Sequence, residues 1–89
     1  MKISKNYLLK SVAGNIVVVP VGDKALDFNA IIHLNEVGSF IFKLLQENDL
    51  NKDEIVSKLL DEYEIDKETA TKDVEAFLEK LKENKILEN

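Results

Sequence analysis

The sequence predicts an α+β domain in which a three-stranded antiparallel sheet precedes three main helices. Before Asn35, β-branched and aromatic residues cluster in short runs broken by Gly, Asn and Pro, as strands and tight turns require. From Asn35 onward the apolar period lengthens to about 3.6 residues, the repeat of an amphipathic helix. Strands segregated from helices in this way pack as one sheet against a helical cluster. The chain has 89 residues, of which 45% are hydrophobic and 33% charged, enough for one core and not for two. Residues 1–89 therefore read as a single domain.

The first strand is Tyr7–Val12. Ala13, Gly14 and Asn15 follow as a turn, in which Gly and Asn accept the positive φ of a primed hairpin. Ile16, Val17, Val18, Val19 and Pro20 form the second strand. Proline cannot donate to a ladder, so Pro20 belongs at the strand's end or where its nitrogen has no partner. Gly22 and Asp23 open a second turn, and residues 28–34 supply the third strand, with Ala30, Ile32 and Leu34 on one face and Ile31 and His33 on the other.

Asn35 is placed to cap the first helix, whose stripe is Val37, Phe40, Ile41, Leu44 and Leu45. Asn51, with Glu54 three positions on, opens the second as a relative of the capping box, and its stripe is Ile55, Val56, Leu59, Leu60 and Tyr63. The third helix starts after Asp66, runs to about Asn84 and buries Ala70, Val74, Phe77, Leu78 and Leu81. Lys85, Ile86 and Leu87 then fold back as a short terminal element. One feature of the sheet bears on function: the second strand is apolar on both faces, although three short helices cover one face far better than the other. Either the termini close the second face or apolar surface is left for a partner.

Composition excludes several classes of function. Cysteine is absent, which removes disulfides, thiolate metal sites and nucleophilic thiols, and suits a cytoplasmic location. Lys10 interrupts any apolar stretch of signal-peptide length near the start, and the run over residues 16–21 is too short to span a bilayer, so neither export nor membrane insertion is expected. Twelve basic residues face seventeen acidic ones, a net charge of −5, and all twelve are lysine. A chain without the bidentate fork of arginine is a poor nucleic-acid binder. The charge is divided unevenly: residues 1–46 carry five lysines and three acids, a net +2, and residues 47–89 carry seven and fourteen, a net −7.

Catalysis finds no constellation. His33 is the one histidine, so neither a histidine metal cluster nor an acid and base imidazole pair can be built, and nothing places Ser11, Ser39 or Ser57 beside it as a nucleophile. It reads as a partly exposed strand residue. The acids from Asp61 to Glu68 fail as a calcium loop, because Tyr63 and Ile65 stand at the third and fifth places and the sixth is not glycine. Ser39 lies between Gly38 and Phe40, so the Asp-Ser-Leu start of a carrier-protein helix is missing. Gly14, Gly22 and Gly38 are isolated and make no phosphate cradle. No cofactor is expected.

Three stretches taken in order resemble the PqqD family, the peptide chaperones of pyrroloquinoline quinone biosynthesis. They are IIHLNEVGSFIFKLL at the strand-to-helix junction, IVSKLLDEYEID in the second helix and its turn, and DVEAFLEKL in the last helix, followed by Ile86 and Leu87. The resemblance implies a winged-helix-like fold and the role of a recognition element for ribosomally synthesised, post-translationally modified peptides. Such a module has no catalysis of its own. It binds a precursor's leader and presents the core to a modifying enzyme, often a radical S-adenosylmethionine enzyme. The leader adds as an antiparallel strand to the third strand's edge, which maps here to Ala30, Ile31, Ile32, His33 and Leu34. Backbone bonds then supply affinity and alternate side chains specificity. The groove candidates are Ile31 and, on the last helix, Ala70, Val74, Phe77 and Leu81, with Asp73 and Lys80 able to select charge at the rim. For Val74, Phe77 and Leu81, helical spacing leaves core and groove wall equally open.

Two other functions compete. A winged-helix DNA-binding regulator would place the last helix in the major groove, but residues 66–83 hold four lysines and six acids, a net −2 that repels phosphate. An interaction subunit that binds no leader is the other.

Overall fold

The structure is a computed structural model that describes residues 1–22 and 32–88. The elements are β1 (Lys2–Ile3), β2 (Tyr7–Val12), β3 (Asn15–Pro20), β4 (Ile32–Leu34), α1 (Glu36–Glu47), α2 (Lys52–Glu62), α3 (Lys67–Glu83) and β5 (Leu87–Glu88). Strands β2, β3 and β4 form an antiparallel sheet in that order, and β1 pairs with β5 in a separate two-stranded one. The α+β class and the sequence of three sheet strands then three helices are as expected. Of the strand expected over residues 28–34, the described part is β4; Asp23, Ala30 and Ile31 lie outside the described residues.

The hairpin turn is one residue tighter than the sequence suggests. Val12 pairs with Asn15, so the loop is Ala13 and Gly14, with φ of 53° and 83°, and Asn15 is already in the strand. Positive φ at both central residues is the type I′ turn, whose twist matches that of the flanking strands. Pro20 ends β3 opposite Tyr7, as its missing donor requires. Across the sheet Leu9, Val18 and Ile32 share one face; Val18 and Ile32 are buried and Leu9 half-buried against the core. The opposite face carries Leu8, Lys10, Val12, Val17, Val19 and His33, and there Leu8 and Val12 are 52% and 50% exposed. The termini do not close that face; they pair with each other, beside α1 and α3.

Asn35 caps α1: its Oδ1 accepts from the Gly38 amide at 2.7 Å. The buried stripe of α1 is rotated from the expected one, because its centre is Gly38, Ile41, Phe42 and Leu45. Phe42 is fully buried, and Val37, Phe40 and Leu44 sit at the margins. A helix packed on two sides is apolar over most of its circumference, so its pattern names a stripe without fixing the stripe's centre. At one margin the Phe40 ring meets Tyr63 edge to face, with centroids 5.7 Å apart. The capping box of α2 is complete, with Asn51 Oδ1 accepting from the Glu54 amide and Glu54 Oε1 from the Asn51 amide. Helix α2 lies against α3, where Lys52 donates to Glu75 at 2.9 Å and that carboxylate holds the ammonium above its usual pKa. Helix α3 ends in a Schellman motif: Lys85, at φ 57°, donates to the Lys82 carbonyl and Ile86 to that of Leu81. This reversal sends Ile86 into the core and starts β5.

Candidate functional site

A groove of about 560 Å³ runs between β4, the start of α1 and the outer face of α3. Strand β4 contributes His33 and Leu34, α1 and its cap contribute Asn35, Val37, Gly38 and Ile41, and α3 contributes Asp73, Ala76, Phe77 and Lys80. Apolar side chains make its floor and two opposite charges stand on its rim.

The pairing register decides what the sheet offers to this groove. In a two-residue hairpin the residues flanking the loop exchange both backbone bonds, and hydrogen-bonded pairs then alternate along the ladder. Val12 and Asn15 flank the loop, so Asn15, Val17 and Val19 direct their amides and carbonyls to β2, and Ile16 and Val18 direct theirs to β4. Ile16 pairs with Leu34 and Val18 with Ile32, which uses the inward groups of those two residues. His33, opposite Val17, turns its N–H and C=O away from β3. The side-chain contacts agree, since Lys80 Nζ reaches the His33 carbonyl from α3 at 3.4 Å. His33 is exposed, as its place in the sequence suggested, and the chemistry it brings to the groove is its backbone.

Gly38 sets how closely α1 and α3 approach. A Cβ on this residue would lie 3.2 Å from Cε1 of Phe77 and 3.2 Å from Oδ1 of Asn35. Without one, the Phe77 ring rests against the first turn of α1 and forms the middle of the groove wall.

The structure separates what helical spacing left together. Asp73 and Phe77 line the groove, whereas Ala70, Val74 and Leu81 are fully buried in the core. On β4, His33 and Leu34 reach the groove and Ile32 points into the core. Ala30 and Ile31 fall outside the described residues. The wall formed by α1, with Val37, Gly38 and Ile41, was not assigned from the sequence. Its one signal was a glycine in a helix's first turn, a place where a side chain is omitted at a cost in helix propensity unless something packs there. Among the described residues no group of three or more His, Asp or Glu side chains is arranged to hold a metal ion, and no helix is long and apolar enough to cross a membrane.

The family model described as Coenzyme PQQ synthesis protein D (PqqD) matches residues 15–87. A solved structure, TbiB1 in complex with the TbiA(beta) leader peptide, superposes with a TM-score of 0.72 at 29% sequence identity, covering 100% of this chain and 96% of that one. No curated protein matches the sequence.

Proposed function

Because the chain belongs to the PqqD family, we propose that it is a leader-peptide recognition element: a binding module without chemistry of its own that captures the leader of a ribosomally synthesised precursor and presents the precursor to a modifying enzyme. One observation carries this reading. The outward N–H and C=O of His33 border an apolar groove, which is the arrangement that lets an extended peptide add as a strand while alternate side chains enter a pocket. The likeness to TbiB1, described with a leader peptide, supports it over the chain's full length. The partner enzyme we assign is of the radical S-adenosylmethionine class, on the family's usual association. The site residues we assign are His33, Leu34, Val37, Gly38, Asp73, Phe77 and Lys80.

Titrating the labelled chain with the leader encoded nearest its gene, followed by amide chemical shifts, tests the reading. The largest shifts are expected at His33, Gly38, Phe77 and Lys80, with α2 quiet. A footprint centred on α2, or no shift at saturating leader, would refute it. The net charge of −2 on residues 66–83 argues against a duplex DNA ligand, and a salt-dependent mobility shift on DNA would be contrary to that.

A further inference from the structure

The groove has a direction, and the charges on its rim give that direction a chemistry. Three residues of α3 order its length. Lys80 lies over the His33 carbonyl, Phe77 rests one turn earlier against Gly38, and Asp73 stands a further turn back. Helix α3 thus runs opposite to the path that leads from β4 into α1. From Lys80 to Asp73 is seven residues of helix, about 10 Å at 1.5 Å per residue.

Among the described residues neither rim charge is neutralised. The lysines of α2 and α3 in ion pairs are Lys52 and Lys72, with Glu75 and Glu68. Lys80 has the long contact to the His33 carbonyl, and Asp73 has no ion pair. An incoming strand that donates its own amide to that carbonyl displaces the ammonium, and a carboxylate on the same strand restores a partner to it.

Resting on the reading of this groove as a leader site, we propose that it selects a peptide of defined polarity: a basic residue, an apolar anchor two positions later and an acidic residue two positions after that. The order follows from the sheet. Strands β2, β3 and β4 are all antiparallel, the pairing of higher stability per residue, so a fourth strand on the β4 edge is taken as antiparallel too. Such a peptide enters over the first turn of α1, passes Leu34 and leaves beside Ile32. Residues directly opposite share a face, so the peptide residues opposite Leu34 and Ile32 point toward α3, and the one opposite His33 points away. The anchor opposite Leu34 meets Phe77 and Gly38. The residue opposite Ile32, on the C-terminal side, is within reach of Lys80. The residue two positions before the anchor passes Asp73. Four residues of strand span about 13 Å, which the flexible side chains of lysine and glutamate match to the spacing on the helix.

Two synthetic peptides test the polarity, one containing Lys-Thr-Leu-Thr-Glu and the other the reversed Glu-Thr-Leu-Thr-Lys, each flanked by identical threonine-rich segments. Binding to the full chain is followed by amide shifts at His33 and Gly38, to millimolar peptide. The first peptide is expected to bind about fivefold more tightly at low salt, as two exposed ion pairs allow, with the ratio shrinking as salt screens them. In the variant Asp73→Lys with Lys80→Glu the preference is expected to invert; both side chains are exposed, so the fold is retained. Equal binding of both peptides, by wild type and variant alike, would overturn the polarity and leave the leader groove standing. A wild-type preference for the reversed peptide that also inverts in the variant would overturn the assigned direction. Absence of shifts with either peptide would overturn both the polarity and the groove itself.

Discussion

Ala13 and Lys85 hold positive φ, at 53° and 57°, with a Cβ that this conformation disfavours by about 1 kcal/mol. Each stands where a turn demands it, Ala13 at the first centre of a type I′ hairpin and Lys85 just past the α3 cap. Ala13→Asn would create the Asn-Gly pair that such hairpins favour, and Lys85→Gly the usual Schellman residue. Each is expected to raise stability by about 0.5–1 kcal/mol, measurable as a higher urea midpoint with unchanged slope. Phe77 and Leu81, one helical turn apart on α3, form a second informative pair. Leu81 is wholly enclosed, so Leu81→Ala is expected to cost about 2–5 kcal/mol and to reach the ligand only through stability. Phe77, 9% exposed, closes the core on one side and walls the groove on the other. Phe77→Ala is expected to cost less than the ~3–5 kcal/mol of an enclosed phenylalanine and to weaken leader binding well below the denaturation midpoint. Calorimetric titration beside thermal melts separates the two outcomes, and wild-type affinity in folded Phe77→Ala protein would remove this ring from the site.

Edge geometry decides which strand residue to test. Ile32 spends its amide on β3, whereas the amide of His33 faces the groove. Ile32→Pro is therefore expected to damage the sheet, with loss of circular dichroism signal, and His33→Pro to leave the fold intact while abolishing one backbone hydrogen bond to the leader at the edge. A folded His33→Pro variant that holds the leader at wild-type affinity would disprove strand addition at this edge. Much at this scale was legible in sequence. The β-branched run fixed the hairpin, and Asn35 and the Asn51 and Glu54 pair marked two helix starts that the structure caps as expected. The misreadings have physical causes. Ala13 takes a turn position usually left to glycine or asparagine, so composition pointed one residue too far. The α3 terminus lacks the glycine that announces a Schellman end. Strands β1 and β5 have two residues each, too few for any period to show. Gly38 and Val37 lie on the start of a helix whose apolar face is wide, and no spacing rule tells a groove wall from a core there.

At the scale of the whole chain the termini act as a clasp. Strand β1 lies against α1 and β5 against α3, so their pairing ties together the two helices that wall the groove. Ile3 is fully buried in β1, and Ile86, 1% exposed, immediately precedes β5. Both belong to the same core as Phe42, Val74 and Leu81, so a cavity there is a cost to the whole unit and not to a detachable end. Groove width, in contrast, is set locally where Phe77 rests on Gly38. Ile86→Ala is thus expected to lose about 3 kcal/mol, lowering the melting temperature by about 12–24 °C in a domain of this size. Leader affinity measured well below that melt is expected to stay within about twofold of wild type, because Ile86 does not line the groove and the Phe77 and Gly38 contact is left in place. Far-ultraviolet circular dichroism and tyrosine signals should fall in one transition. If affinity instead collapses while the variant is fully folded, the clasp and not the Phe77 and Gly38 contact sets the distance between α1 and α3, and groove shape is a property of the closed chain as a whole.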